Sequence, residues 1–334
     1  MRRPKQLASN SSPRGVFITA TDTGVGKTLI ASALVRCLIQ RGIDVGVMKP
    51  IETGVSRSAK ARSDGARLRR AAGNCDPMAE VSPYVFRLPV APVSAARAEG
   101  TTVRMAPIVR AFHALSQKHT FMAVEGVGGV YAPLTSLLNV LDIIYQLKLP
   151  AIVVGQSGLG GINHALLTLH ALRQRNIPIL ALVLNQCRPV RTETARLQEQ
   201  STVTLLRRLS KVPVVGPIPF SPRVNQEWNK DLVRLAGTAP ITRLARLVLA
   251  RIIDEGSSQN GGVARDKRGP KAEGVQAEGQ RSEIRTLQPA SPVSPASLES
   301  GIRACSRSIM NTAGSHLLDE RFDCVADVRS LEDR

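Results

Sequence analysis

At 334 residues and 43% hydrophobic content, the chain is long enough to bury a sizeable core, in one large domain or two ordinary ones. Aromatic residues make up only 3%, which argues against a base-stacking nucleic-acid platform, and no uninterrupted apolar run of about 18 residues marks a membrane span. The net charge of +19 is unevenly placed: residues 256–334 hold 11 Lys+Arg and 11 Asp+Glu, so the whole excess lies in residues 1–255. A solvated basic surface that also attracts polyanions such as ATP is the simpler reading of that charge.

In chain order, the opening MRRPKQLASNSSPRG has basic residues but no apolar segment behind them, so residues 1–14 are expected to be a disordered leader rather than a signal peptide. From residue 15 to 255, short runs rich in Val, Ile and Leu alternate with helical patterns. The expected strands are GVFITA, VGVMKP, FMAVEG, PAIVVG, PILALVLN and VPVVGPIP; the clearest helices are TLIASALVRCLIQRG, HALLTLHALRQRN and TARLQEQSTVTLLRRLS. Continuous apolar strands alternating with amphipathic helices predict an α/β fold, a parallel sheet with helices on both faces. Beyond Glu255 the composition turns rich in Gly, Pro, Ser and charge, and residues 256–334 are expected to be a disordered C-terminal extension. Five cysteines without a CxxC pair read as reduced thiols of a cytoplasmic enzyme, not as disulfides or a zinc site.

The stretch ATDTGVGKT, residues 20–28, lies between the first strand and the first helix. That is the setting of a P-loop, in which backbone N–H groups and a helix N-terminus face phosphate. Lys27 would reach the β- and γ-phosphates and the Thr28 hydroxyl would ligate Mg²⁺. The loop is an irregular one, because the first glycine of the pattern falls at Thr21, with Ala20 before it.

On a parallel sheet, ligands bind outside the carboxyl ends of the strands, so the polar residues there matter most. The second strand ends in MKPIETG, which brings up Lys49 and Thr53. A strand-end lysine is often only a surface residue; beside a P-loop its ammonium can meet the transferred phosphoryl group. FMAVEG brings up Glu125 where a Walker-B acid would hold Mg²⁺, and the glycines of VGG let backbone approach phosphate. Asp64 in RSDG reads equally as a helix cap or as a second metal carboxylate. Gly160 and Gly161 open a helix whose free N–H groups could hold a carboxylate, whereas His164 and His170 on it read as structural. Asn185, ending another strand, could pair with a base edge, and GPIPF could close the nucleotide pocket.

Taken in order, TDTGVGKT, KPIETG, SDG, VEGVGG and LNQ resemble dethiobiotin synthetase, a P-loop family whose hallmarks read TDTxVGKT, KPxxTG or KPxxSG, VEGAGG and GxxNHxLLT. The resemblance spans about residues 15–253. It implies that 7,8-diaminononanoate, CO₂ and ATP give dethiobiotin, ADP and phosphate, through a carbamate and a carbamic-phosphoric anhydride. By the same resemblance Lys49 is the catalytic residue, and Thr23, Gly24, Val25, Gly26, Lys27 and Thr28 wrap the phosphates. Thr28, Asp64 and Glu125 hold Mg²⁺, and Glu125, Gly126, Val127 and Gly128 lie along nucleotide and substrate. Asn185, Gln186, Ile218, Pro219 and Phe220 meet the adenine, and Thr53 touches the substrate. Gly160, Gly161, Ile162 and Asn163 hold the substrate carboxylate across a homodimer interface. Neither nucleic acid nor membrane is an expected partner. Ala20 departs from the family's usual Gly before TDT.

The competing reading of another class is a deviant-Walker partitioning or septum-site ATPase that organises DNA or a membrane surface. Such proteins carry a signature lysine early in the loop, where this chain has Asp22. An amidating ligase of the cobyrinate type would need a glutamine-hydrolysing domain, and Cys305 stands in no such setting.

Overall fold

The computed structural model describes residues 14–221 and 227–260. The expected leader, apart from Arg14, and residues 261–334 of the expected extension lie outside the described residues. Six strands form one sheet: β1 (Gly15–Ala20), β2 (Val45–Met48), β5 (Phe121–Glu125), β6 (Ala151–Gln156), β7 (Ile179–Asn185) and β8 (Val214–Ile218). Between β2 and β5 the chain adds β3 (Ile51–Glu52) and β4 (Tyr84–Val85), which pair with each other alone. The sheet order is β2-β5-β1-β6-β7-β8, and every pairing is parallel.

The helices are α1 (Lys27–Ile39), α2 (Asp64–Ala72), α3 (Met78–Val81), α4 (Pro92–Ala98), α5 (Met105–Ser116) and α6 (Val140–Leu147). They continue as α7 (Gly161–Gln174), α8 (Glu193–Leu209), α9 (Trp228–Ala236) and α10 (Ala239–Asn260), so α10 runs past the compositional change near Glu255. No helix among the described residues is long and apolar enough to cross a membrane.

The strands are apolar throughout because both faces of the sheet are covered, and side chains alternate between the two layers. In β1, Val16, Ile18 and Ala20 enter the layer with α1, α9 and α10, while Phe17 enters the layer with α5, α6, α7 and α8. All four side chains are buried. Fully burying one such side chain stabilises by roughly 1.5–3 kcal/mol, so the central strand is anchored from both sides.

The strand order also fixes the site. The chain steps from β1 to β2 on one side, inserts β5 between them, then crosses to β6 on the far side of β1. A crevice outside the carboxyl ends, at the point where the winding reverses, is where such sheets take their ligands.

Candidate active site

The P-loop forms because its glycines stand where other residues would not fit. Gly26 caps α1 at φ 97°, a left-handed conformation, and a Cβ there would lie 2.4 Å from the Asn185 side-chain nitrogen. Asn185 itself donates from Nδ2 to the Val25 carbonyl at 3.0 Å, tying the end of β7 to the loop. Lys27 donates to the Asp22 carbonyl at 3.1 Å across the same loop. Ala20 lines neither cleft described below; it is buried in the apolar layer beneath α1. The methyl that replaces the expected glycine therefore packs in the core.

Pairing registers bring the charged strand ends together. Met48 stands opposite Val124, so Lys49 meets Glu125 across the β2–β5 pair. Lys49 Nζ donates to Glu125 Oε1 at 2.7 Å and to the Gly126 carbonyl at 3.0 Å, and Asp64 Oδ2 lies 3.0 Å away. Thr28 Oγ1 donates to the same Glu125 oxygen at 2.7 Å. One buried ammonium thus joins the ends of β2 and β5 to the start of α2.

Asp64 is not the cap of α2. Ser63 is, its side chain accepting the Ala66 amide at 3.2 Å, and Asp64 stands in the first turn free to face Lys49. Glu52 is one residue the sequence reading missed. Its buried carboxylate accepts the backbone N–H of Asp64 and, at 3.2 Å, that of Gly65. The signal was available as an acid inside KPIETG, but nothing local says that it would cap a helix twelve residues on.

Electrostatics follow from burial. Burial works against the Lys49 charge, yet Glu125 and Asp64 outweigh it and hold the ammonium well above the usual lysine range. Burial, with Lys49 close by, brings Lys27 down to about 8 against the pull of Glu125, Asp64 and Asp22. Burial and Asp64 push Glu125 up against the pull of Lys49 and Thr28. Asp64, despite its partial burial, is drawn down by Lys49, Thr28 and Arg67.

These residues fit a hard dication. Glu125 Oε2 is buried with no hydrogen-bond partner, and Thr28 Oγ1 and the Asp64 carboxylate complete an all-oxygen set. No group of three or more His, Cys, Asp or Glu able to hold a metal occurs among the described residues. Few protein ligands is the pattern of Mg²⁺, which keeps waters and takes phosphate oxygens.

Two clefts adjoin here. One, of about 510 Å³, is lined by Thr23, Gly24, Gly26, Lys27, Thr28, Lys49, Asp64, Glu125, Val127, Gly128, Asn185, Gln186, Pro219 and Phe220. Most of the expected nucleotide residues therefore converge on it. Val25, Gly126 and Ile218 do not line it: Val25 and Gly126 offer carbonyls to Asn185 and Lys49, and the Ile218 carbonyl accepts the Gln186 amide at 2.9 Å. Unforeseen members include Glu52, Arg67 and Trp228, the last with the Arg67 guanidinium 4.3 Å from its ring centre. The second cleft, of about 860 Å³, lies between the loop after β5 and α7 and shares Thr23, Thr53, Val127 and Gly128 with the first. Gly160, Gly161, Ile162 and Asn163 line neither. They form the start of α7, where Gly160 caps at φ 85°; Gly160 and Asn163 are exposed and Gly161 is buried.

Comparison with known proteins supplies the rest. A family model described as an AAA domain matches residues 14–228. The ATP-dependent dethiobiotin synthetase BioD of Anaeromyxobacter dehalogenans (strain 2CP-C) is 43% identical over 223 residues, 67% of this chain and 94% of that protein. That of Thermodesulfovibrio yellowstonii is 37% identical over 222 residues, 64% of this chain and 91% of that protein. Among solved structures, the MinC:MinD cell division protein complex of Aquifex aeolicus aligns with a TM-score of 0.43 at 13% identity, covering 77% of this chain and 100% of that one. The partitioning-ATPase alternative is not favoured, since a likeness that loose carries no function. With nearly the whole length of those synthetases matched at such identity, the chain belongs to the ATP-dependent dethiobiotin synthetase family.

Proposed function

We propose that this chain makes dethiobiotin from 7,8-diaminononanoate, CO₂ and ATP. The observation that carries the reading is Lys49, buried between Glu125 and Asp64 on the wall of the nucleotide cleft. One amine of the diamine attacks CO₂ and loses a proton, giving a carbamate. A carbamate oxygen then attacks the γ-phosphorus and ADP leaves. The second amine attacks the carbonyl carbon of the mixed anhydride, phosphate departs, and the five-membered urea closes with loss of a proton.

Carbamate and γ-phosphoryl are both anionic, so a fixed ammonium at their meeting point stabilises charge as it is shared. Lys49 fills that role; Lys27 and the loop N–H groups hold the phosphates. Thr28, Asp64 and Glu125 would hold Mg²⁺, which when bound neutralises phosphate charge. Thr53, on the wall common to both clefts, contacts the diamine. Asn185, Gln186, Pro219 and Phe220 bound the adenine end.

The substrate carboxylate is held by Gly160, Gly161, Ile162 and Asn163 of a second copy in a homodimer. Leu159, just before α7, and Leu167, midway along it, are 76% and 60% exposed and supply apolar surface for that contact. The cytoplasm is the proposed location, in keeping with the free Cys37, Cys75 and Cys187. Incubating the protein with diaminononanoate, bicarbonate, Mg²⁺ and ATP should yield dethiobiotin by mass. ATP turnover that ignores both co-substrates and responds to DNA or lipid would overturn the assignment.

A further inference from the structure

Glu199, half-buried on α8, lines neither of the two adjoining clefts, yet both of its carboxylate oxygens are engaged. Oε1 accepts the Ser157 hydroxyl, and Oε2 accepts Gln186 Nε2 at 2.9 Å. Ser157, just after β6, is only 2% exposed, and its own N–H donates to the Asn185 carbonyl at 3.0 Å. One arm of the carboxylate is therefore tied to a buried strand end. The other reaches the wall of the nucleotide cleft. Gln186 follows β7, lines that cleft, and accepts with Oε1 the backbone N–H of Phe220 at 2.9 Å. Its own N–H donates to the Ile218 carbonyl at 2.9 Å, so the end of β7 and the segment leaving β8 are joined twice.

A side-chain amide has nearly the same shape either way round, but its two ends differ in hydrogen bonding. An ionised carboxylate only accepts, so Glu199 selects the orientation in which Gln186 Nε2 faces it. Oε1 is then turned to the Phe220 N–H, which needs an acceptor. Reversed, the amide would set oxygen against carboxylate and N–H against N–H, and both bonds would be lost.

We propose that Glu199 is a positioning residue for ATP: acting through Gln186, it fixes the wall formed by Pro219 and Phe220 against which the base is held. This role rests on the adenine placement proposed above, at Asn185, Gln186, Pro219 and Phe220. On that placement the triphosphate lies with Lys27 and Thr28, which bond instead to Asp22 and Glu125. Loss of Glu199 should therefore loosen the hold on the base and spare the hold on the phosphates.

The test compares the full chain with Glu199→Ala, Gln186→Ala and the double variant. Each is titrated by calorimetry with Mg²⁺–ATP and with Mg²⁺–tripolyphosphate, which has no base. In Glu199→Ala the ratio of ATP to tripolyphosphate affinity should fall about tenfold, the usual loss for a hydrogen bond to a charged group, while tripolyphosphate affinity stays within about twofold. The double variant should lose no more than Gln186→Ala alone, because the effect passes through that amide. Glu199→Gln, which keeps an acceptor for Gln186, should restore most of the ratio. Glu199→Met keeps the bulk, removes both acceptors and should reproduce the alanine result; unfolding midpoints are read for every variant. A ratio unmoved in Glu199→Ala and Glu199→Met, an equal loss for both ligands, or additive losses in the double variant would overturn the role of Glu199. If the ratio is unmoved in Gln186→Ala as well, the base lies elsewhere and the adenine placement falls with it. None of these readouts depends on dethiobiotin formation, so they stand or fall separately from the proposed reaction.

Discussion

Glu52 and Asp64 are linked through the backbone: the buried carboxylate of one accepts the amide of the other and thereby sets where α2 begins. Asp64 reaches Lys49 only because that start is fixed. Glu52→Ala leaves the amides of Asp64 and Gly65 without their acceptor, a loss of roughly 1.5–3 kcal/mol of stability for hydrogen bonds to a charged group. Turnover should fall about tenfold or more, since a small misplacement of a catalytic group is costly. Glu52→Gln, which keeps one acceptor oxygen, should recover part of both. Steady-state kinetics beside thermal unfolding decides it, and a Glu52→Ala enzyme with wild-type kcat would show that Asp64 holds its place unaided.

Much of this arrangement was legible beforehand. GVFITA forms its strand over the full stretch read from the sequence, and the other five strands and three named helices appear within a few residues of their expected ends. Their apolar runs are long and bounded by turn residues, so local pattern suffices. The Lys49–Glu125 contact was not legible in the same way, because it depends on β5 inserting between β1 and β2 with Met48 opposite Val124. Register is a tertiary property. Trp228 and Arg67 were missed for a related reason: each lies on an amphipathic helix without a motif, and only packing brings both to the wall of this cleft. Ala20 shows the converse, a local departure from a family pattern that the fold absorbs into its core.

Trp228 is the chain's one tryptophan, and it lines the nucleotide cleft with the Arg67 guanidinium over its ring. A nucleotide entering that cleft changes the polarity around the indole and competes for the arginine. Intrinsic fluorescence should therefore change saturably with ATP. Arg67→Ala, losing a contact of roughly 0.5–1 kcal/mol, should alter the starting spectrum and the amplitude. An emission spectrum unmoved at ATP concentrations that calorimetry shows to be saturating would place the nucleotide away from α9.

His119 ties three segments at the opposite edge of the sheet, its Nδ1 2.8 Å from Asp44 and its Nε2 2.8 Å from Asp76. Burial opposes its charge, but the two hydrogen bonds and carboxylates prevail and raise its pKa. A raised folded value means that this stabilisation is complete below the unfolded value of about 6.5 and fades as pH climbs through the higher folded one. Lys118, paired with Glu80 and near Asp76, stays charged across that window and does not reverse the trend. The stability gap between wild type and His119→Gln should be wider at about pH 6 than at about pH 9. Denaturant midpoints at the two pH values measure it, and a gap that is constant or grows with pH would count against the charged pairing.

Lys49→Ala and Lys27→Ala should fail differently. Lys27 lies in the P-loop, and its loss should weaken ATP binding as well as turnover. Lys49 follows a different strand, so on the proposed reading the phosphates would keep Lys27, the loop N–H groups and Mg²⁺ when it goes. On the proposed reading, what would disappear is a preorganised donor to charge that develops as reaction proceeds, typically worth roughly 10²–10³ in rate. Its removal also leaves Glu125, fully buried, without its cation, and breaking such a pair costs on the order of 3–5 kcal/mol. The chemical and structural losses must therefore be separated. Lys49→Ala,Glu125→Gln restores charge balance and should recover most of the unfolding midpoint while dethiobiotin formation stays down, because no neutral side chain replaces the ammonium. ATP affinity by calorimetry, the unfolding midpoint and product by mass are read side by side for each variant. Full turnover in Lys49→Ala would reduce Lys49 to a structural ion pair and move the catalytic charge elsewhere along the sheet edge.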